Sequence, residues 1–267
     1  MDVSLSIISH RHGDAVKQLV KAFAALADAR LRHVIVTLNL PEPELARDLR
    51  RRSWPFTLDI VDNAAPKGFG ANHNQAFALD ARHRPSNIFA VVNPDIVLRG
   101  NPFDGLLHAI QAGGERVGAS YPIQVDGNGR LQDFERLLPT PGRLLWRYMP
   151  FRGRRGLQSG ERPDWVNAAF LLLRREAYAS VGGFDEDFHM YCEDVDLCLR
   201  LRLAGWQLVR ADEAAVVHGA QRASHSDLRH LAWHVRSLLQ LWRSRAWRAY
   251  RAGHARDSLF LDSSDTR

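Results

Sequence analysis

Short apolar runs alternate with amphipathic stretches through the first hundred residues of the chain. Residues 3–9 alternate and then run apolar, and apolar residues at helical spacing follow over 15–27. Three more strand-like runs, rich in β-branched residues, cover 33–38, 56–61 and 88–92. Strands that alternate with helices predict right-handed βαβ crossovers and a largely parallel sheet. The expected fold class is therefore α/β.

The pattern is less regular in the second half of the chain. Residues 139–164 are rich in Arg, Gly and Pro without sustained periodicity, which predicts a long mobile loop. Regular structure is expected to return over 165–173, and a helix is predicted from near Asp194 to Gly205. Residues 228–256 hold seven arginines and no acidic residue, with apolar residues at helical spacing. That pattern predicts one long helix that is basic on one side and apolar on the other.

The composition is that of a chain able to bury a core, since 45% of its 267 residues are apolar and 25% are charged. Disorder, collagen and coiled coils are thereby excluded. No apolar stretch approaches the roughly 20 residues that cross a bilayer, and no signal peptide follows Met1, so a cytoplasmic location is expected. The net charge of +6 favours anionic partners. Cys192 and Cys198 are too few for a disulfide framework and are expected to pack in the core.

Polar side chains close several of the predicted strands, at the sheet edge where parallel α/β proteins bind ligands. Asn93, Pro94 and Asp95 directly follow the apolar run 88–92. A single carboxylate there is suited to Mg²⁺ or Mn²⁺, which binds few protein ligands and takes the rest from water and phosphate. Such a metal would neutralise a departing diphosphate. The alternative is an ordinary turn, because all three residue types favour turns.

The segment 67–74, KGFGANHN, lies where a strand is predicted to lead into a helix. Its glycines would let the backbone approach a ligand closely, and free N–H groups at the helix start favour anions. Lys67 would add a positive point charge. The alternative is a helix N-terminus that asparagine merely caps.

The densest acidic stretch of the chain lies between residues 185 and 196. Glu193 and Asp194 are predicted to occupy the first turn of a helix, where a carboxylate interacts favourably with the helix dipole. A carboxylate held there can deprotonate an attacking hydroxyl, which makes Asp194 a candidate general base. The alternative is a pair of solvent-facing acids. His218, after an apolar run, is either a structural histidine or a second ligand for a metal on Asp95.

Four segments together carry a family resemblance: WVNAAFLLLRR at 165–175, VGGFDEDF at 181–188, EDVDLCLR at 193–200 and AGW at 204–206. In this order they resemble the family 2 inverting glycosyltransferases with the GT-A fold, and especially the rhamnosyltransferase-type members from bacteria. The resemblance covers about residues 1–220. It implies a GT-A domain there, with a donor half at about 1–100 and an acceptor half at about 101–220, followed by a basic helical tail at 221–267.

The resemblance also assigns roles to individual residues. Asp194 matches the catalytic base, and Glu193 would contact the acceptor, together with Trp165 and Asn167. Asp95 is the one acid kept from the metal-binding motif, and His218 matches a histidine that joins the metal or diphosphate. Candidate donor-binding residues are Ser9, Asn39, Asp62, Lys67, Gly68, Asn72, Asn74, Asn93 and Asp95.

One segment departs from the family pattern. Residues 37–43 read TLNLPEP, where the family usually shows an Asp-Asn-x-Ser-x-Asp stretch that reads the nucleotide. Base recognition has then moved to Asn39, Asp62 or Asn63, or donor binding is weakened.

The implied reaction moves a sugar from a nucleoside diphosphate sugar, with dTDP-rhamnose a candidate donor, to a glycan or lipid-linked acceptor with inversion. It would use Mg²⁺ or Mn²⁺. The basic tail, with Trp242 and Trp247, suits an anionic membrane surface at the inner face of the plasma membrane; the alternative is a helix packed on the domain. A non-catalytic polyanion-binding module is the second hypothesis, although no nucleic-acid motif is present. A nucleotidyltransferase is disfavoured, because residues 9–13 form no phosphate-binding loop.

Overall fold

The computed structural model describes residues 1–82, 85–147, 162–219 and 228–262. The first part of the chain alternates strands and helices, as its apolar pattern predicts. The elements in chain order are β1 (Val3–Ser9), α1 (Gly13–Ala25), β2 (Leu31–Leu38), α2 (Pro43–Arg50), β3 (Thr57–Asp62), α3 (Phe69–Asp80) and β4 (Ile88–Val92).

The second part mixes short strands with helices and ends in two helices. Its elements are β5 (Ile96–Leu98), α4 (Pro102–Ala112), β6 (Val117–Val125), β7 (Glu135–Arg136), α5 (Pro141–Arg147), β8 (Trp165–Val166), β9 (Phe170–Arg174), α6 (Arg175–Ser180), α7 (Glu193–Leu203), β10 (Gln207–His218), α8 (Leu228–Arg243) and α9 (Arg245–Asp262).

One large sheet has the strand order β3-β2-β1-β4-β9-β6-β10-β5. The pairs β1/β2, β1/β4, β2/β3 and β6/β10 are parallel. Strand β9 runs antiparallel to both β4 and β6, and β5 runs antiparallel to β10. The predicted α/β class with a mostly parallel sheet is confirmed. Strands β7 and β8 form a separate two-stranded ribbon.

Helices cover both faces of the sheet, so its central strands are apolar on both sides. In β2, Val34 and Val36 pack with α1, α2 and α4, whereas Ile35 packs with the opposite layer. That opposite layer contains α3, α6, α7 and the inner sides of α8 and α9. Cys192 and Cys198 are buried there as free thiols, as expected.

The structure corrects several sequence predictions. Residues 139–164 contain the short helix α5, while 148–161 lie outside the described residues. The tail is two helices because Ser244 starts a new one: its Oγ accepts the Trp247 backbone N–H at 3.1 Å, as an N-cap does. Helices α2 and α4 were not predicted. Among the described helices, none combines the length and the apolar character needed to cross a bilayer.

Candidate functional site

Three asparagines at the carboxyl ends of β2 and β3 and the start of α3 hold one loop in place. Asn39 Oδ1 accepts the backbone N–H of Lys67 at 2.8 Å, and its Nδ2 donates to the Lys67 carbonyl at 3.0 Å. Asn63 Nδ2 donates to Asn39 Oδ1 at 2.9 Å and to Asn72 Oδ1 at 2.6 Å. Asn72 Nδ2 donates to the Gly68 carbonyl at 2.9 Å. These amides therefore fix the backbone that leads into α3, and Asn72 itself is fully buried.

The glycines and Asn74 of the same segment join it to residues 184–189. The Phe69 N–H donates to the His189 carbonyl at 3.1 Å, and a Cβ on Gly68 would lie 2.7 Å from that oxygen. Asn74 Nδ2 donates to the Phe184 carbonyl at 2.8 Å, and its Oδ1 accepts the Phe184 N–H at 3.0 Å. Gly68 is thus required for close backbone packing, and the Asn74 side chain acts within the protein.

The remaining candidate donor residues differ in exposure. Ser9 is buried at the end of β1, and its Oγ donates to Glu42 Oε1 at 2.5 Å. Glu42 also accepts the Arg11 N–H at 2.9 Å, so it shapes the loop after β1. Asp62 is exposed and faces Arg50, at 3.3 Å between Nη2 and Oδ2. Lys67 is exposed and its Nζ donates to Gln75.

Asp95 and His218 are brought together by the antiparallel pairing of β5 with β10, which sets His218 beside Ile96. His218 Nε2 lies 3.6 Å from Asp95 Oδ2, and the Gly219 N–H donates to the Asp95 carbonyl at 3.1 Å. Burial lowers the pKa of His218, although the Asp95 charge opposes this. Burial thus favours the neutral imidazole, which is the form that binds metals.

This pair fits a divalent cation that takes its other ligands from a diphosphate and water. The 3.6 Å separation is too long for a strong hydrogen bond, so the facing oxygen and nitrogen are not committed to each other. His218 Nδ1 is buried without a partner in the described part of the chain. Within that part, no three His, Cys, Asp or Glu side chains cluster as a complete metal site. The protein would thus supply two ligands.

Glu193 and Asp194 begin α7, as predicted. The Asp194 Oδ1 accepts the Val195 N–H at 2.8 Å. Burial raises the pKa of Asp194, and the backbone amides of Val195 and Ala168 and the charge of Arg136 partly offset this. Glu193 is buried with its Oε2 unpartnered among the described residues, and burial together with the Asp194 charge raises its pKa. The two acids therefore resist being ionised together.

Two consecutive left-handed residues precede this acid pair. Tyr191 has φ +70° and Cys192 has φ +66°, a conformation that costs free energy for residues with a side chain. The tight turn ends the loop that packs on α3 and aims the first turn of α7. Such strain is typical of functional sites, where surrounding contacts hold the backbone in place.

The segment 167–169 lies between the two halves of the site. The Asn93 N–H donates to the Ala169 carbonyl at 2.8 Å, while the Ala168 amide stabilises the Asp194 carboxylate. Neither candidate carboxylate is sealed, because Asp95 keeps 26% of its side-chain surface exposed and Asp194 is only partly buried. Asp95 would hold a cation and Asp194 would accept a proton. The end of β4, just before Asp95, and the start of α7, which bears Asp194, both contact the segment 167–169.

The residues predicted to contact an acceptor have structural partners too. Asn167 and Gln124 exchange two amide hydrogen bonds of 2.7 and 3.0 Å. Trp165 is buried, and its Nε1 donates to the Leu137 carbonyl at 3.1 Å. The Arg136 guanidinium lies 5.1 Å from the Trp165 ring centre. Arg136 is a site residue that sequence reasoning missed, because only the β7/β8 pairing brings it to Trp165 and Asp194.

Several known proteins resemble this chain in sequence or in fold. No protein-family model matches the chain. It is 36% identical over 190 residues to N-acetylglucosaminyl-diphospho-decaprenol L-rhamnosyltransferase of Mycobacterium tuberculosis, covering 65% of this chain and 61% of that protein. It is 29% identical over 247 residues to rhamnosyltransferase WbbL of Escherichia coli, covering 88% and 90%. The mannosyltransferase PcManGT of Pyrobaculum calidifontis, solved with GDP-Man and Mn²⁺, superimposes with a TM-score of 0.58 at 15% identity, covering 98% and 79%.

The chain resembles these rhamnosyltransferases in sequence and has the GT-A fold. The resemblance drawn from its motifs is confirmed. This rhamnosyltransferase-like chain spans about three fifths of the length of the mycobacterial relatives that it matches. The structural likeness, at 15% identity, concerns the fold alone.

In this rhamnosyltransferase-like chain, helix α8 packs on the loop that precedes the acid pair. Ser237 Oγ donates to the Met190 carbonyl at 2.8 Å, and Tyr191 Oη lies 2.8 Å from His230 Nδ1. The rings of His189 and Trp233 meet edge to face at 5.3 Å between centroids. The tail is thus in direct contact with the strained turn before α7.

Proposed function

We propose that the chain transfers a sugar from a nucleoside diphosphate sugar to a glycan or lipid-linked acceptor, with inversion at the anomeric carbon. The rhamnosyltransferase relatives make dTDP-rhamnose the donor to test first. The name of the mycobacterial relative, which includes a diphospho-decaprenol, supports a lipid-linked acceptor. In this proposal residues 1–100 serve the donor side and residues 101–220 the acceptor side.

One observation carries the proposal. A partly exposed carboxylate with a raised pKa, Asp194, and the strand end that bears Asp95 are both anchored on the segment 167–169. A single-displacement transfer needs one proton acceptor for the incoming hydroxyl and positive charge for the leaving diphosphate. Asp194 serves as the first, while Asp95 and His218 serve the second.

In the proposed reaction Asp194 accepts the proton of the acceptor hydroxyl. As that oxygen forms its bond to the anomeric carbon, the bond from this carbon to the diphosphate oxygen breaks, and the nucleoside diphosphate leaves with the bonding electrons. Asp95 and His218 would hold a divalent cation, which when bound neutralises charge on the diphosphate. No covalent bond between sugar and protein is needed, and a second catalytic carboxylate is not required.

The environment of Asp194 suits a general base. Burial raises its pKa toward neutrality and so strengthens its affinity for a proton, while the nearby amides and Arg136 keep it ionised. Burial and the Asp194 charge favour the protonated form of Glu193, which would donate a hydrogen bond to a bound acceptor. The two adjacent acids thereby take different roles.

The test is a transfer assay with dTDP-rhamnose and a short-chain polyprenyl-diphospho-N-acetylglucosamine, in the presence of Mg²⁺ or Mn²⁺. The expected product is a disaccharide whose new linkage, read by NMR, has the anomeric configuration opposite to that of the donor. A retained configuration would contradict the single displacement. Absence of transfer from a panel of nucleotide sugars, despite donor binding, would favour the non-catalytic alternative.

A further inference from the structure

The outward side of α8 presents an apolar stripe with no partner in the described chain. Leu231, Val235 and Leu239 are 56%, 49% and 42% exposed, and each follows the previous one by about one helical turn. They line an open groove together with Phe188, at the edge of the loop that leads to the acid pair. Exposed apolar side chains grouped along one side of a helix are candidates for a contact surface.

The exposed charged residues of the two tail helices, over residues 230–253, are positive. The arginines exposed on the two tail helices are Arg236, Arg243, Arg245, Arg248 and Arg251, and residues 228–256 contain no acidic residue. Two acids, Asp185 and Asp187, also line the groove, and they belong to the loop before α7 and not to the tail. An apolar stripe flanked by arginines has the pattern of a helix that lies in the interface of an anionic bilayer.

The opposite side of the tail is firmly packed on the domain, which determines what the outer side can do. Leu238, Leu241 and Trp247 are buried, and Trp242 Nε1 donates to the Pro139 carbonyl at 2.9 Å. For Trp242 and Trp247 the structure therefore agrees with the second of the two sequence-based alternatives, a helix packed on the domain. The side chains left for an external contact are the three apolar residues of the stripe and the arginines.

We propose that the outer face of α8, formed by Leu231, Val235 and Leu239 with Arg236 and Arg243, docks on an anionic phospholipid surface. A nucleic acid would use the arginines but would leave the apolar stripe in water. A second copy of the chain paired across a two-fold axis would bring the two arginine clusters together, which is electrostatically unfavourable. A bilayer interface uses both features.

The position of α8 gives this docking a consequence for the site. The same helix contacts Met190 and Tyr191, two residues of the turn before Glu193 and Asp194. Docking would therefore bring the proposed acceptor side close to the lipid headgroups, where a lipid-linked diphosphate acceptor lies. The biological purpose rests on the proposed function, but the docking itself needs neither donor nor acceptor.

The experiment is co-sedimentation of the full chain with vesicles of phosphatidylglycerol and phosphatidylcholine, and with vesicles of phosphatidylcholine alone. We expect binding to the anionic vesicles that weakens with salt, and little binding to the neutral ones. The triple variant Leu231→Ser, Val235→Ser, Leu239→Ser should reduce partitioning at least tenfold. Since each arginine near an anionic surface contributes about fivefold to partitioning, the pair Arg236→Gln, Arg243→Gln should lower it by roughly 25-fold.

Matched controls change similar residues elsewhere on the surface. Leu203→Ser replaces an exposed leucine of α7, and the pair Arg47→Gln, Arg51→Gln removes exposed arginines at α2. Both should bind vesicles like the unchanged chain, and all variants should melt near its temperature. The proposal is overturned if the unchanged chain does not bind anionic vesicles or if the stripe variant binds them equally well. It is also overturned if light scattering shows that the unchanged chain is a dimer and that the stripe variant is a monomer. Because no sugar is transferred in this assay, its result is independent of the proposed reaction.

Discussion

Asn93 and Asp194, 101 positions apart in the sequence, contact neighbouring residues of one short segment. The Asn93 N–H donates to the Ala169 carbonyl at 2.8 Å, and the Ala168 amide stabilises the Asp194 carboxylate. Strand β4 ends directly before Asn93, and β9 begins directly after Ala169, because the two strands pair antiparallel. The relative placement of the proposed cation-binding and proton-accepting acids thus depends on strand β9, which runs antiparallel to both of its neighbours, β4 and β6.

Asp194→Asn should abolish sugar transfer while donor binding persists. An amide cannot accept the hydroxyl proton, and loss of a general base lowers the rate by about 10²–10⁴-fold. The measurement is the transfer rate, paired with calorimetry of dTDP binding. Asp14→Asn, which changes a highly exposed aspartate in the first turn of α1, should leave both values unchanged. Full activity of Asp194→Asn would remove this residue from the mechanism.

Asp95→Ala and His218→Ala should remove the cation-dependent part of dTDP affinity. We expect Mn²⁺ to strengthen dTDP binding to the unchanged chain, and to have at least tenfold less effect on Asp95→Ala. The decrease for His218→Ala should be smaller, because a neutral imidazole brings no charge. Glu213→Ala, a change at an exposed acid of the same strand β10, is the control. An equal Mn²⁺ effect in all three variants would place the cation elsewhere.

Glu193→Gln should make the protein more stable at alkaline pH. Because burial raises the pKa of Glu193 in the folded state, that state holds more protons than the unfolded chain above about pH 4.5, and stability falls as the pH rises through this window. A glutamine has no proton to lose, so the variant should decline less between pH 5 and pH 8, by about 1 kcal/mol or more. Urea unfolding at both pH values measures this, and parallel declines would contradict it.

Gly70→Ala should destabilise the fold through the contact between α3 and the loop after α6. A Cβ on Gly70 would lie 2.5 Å from Phe184 Cβ, so one element has to move. Overpacking of this kind costs about 1–3 kcal/mol. Gly142→Ala, in α5 with no atom within 4 Å of the added Cβ, is the control and should be neutral or slightly stabilising. Chemical denaturation compares the two variants, and equal stabilities would show that the loop yields freely.

The glycine-rich segment 67–74 illustrates how far a motif can be interpreted. The pattern of apolar residues and glycine correctly predicted that this segment joins a strand to a helix. It could not predict the contact partners of the segment, because Gly68 contacts His189 and Asn74 contacts Phe184, more than 100 positions away in the chain. The polar side chains that a motif assigns to a ligand are here bonded to the protein backbone. Their part in donor binding stays a prediction.

The tail shows the same division. The helical spacing and the basic charge of the tail could be predicted from the residues alone, because a period near 3.6 and a lack of acids are local properties. The sequence could not predict which side of α8 faces the domain, because Trp242 and Leu231 are both apolar and equally suited to burial. Contacts with Pro139 and with α7 determine this side, and Trp242 and Trp247 therefore face the domain.

Local chemistry was enough to specify an α/β chain, the strand ends where polar groups collect, and an acid pair at a helix start. These features depend on neighbours a few positions away, through backbone geometry and side-chain size. Folding alone brought Asp95 to His218, set Arg136 over Trp165, and buried Glu193 beside Asp194. Such relationships arise from strand order and burial, which join segments that share no local pattern.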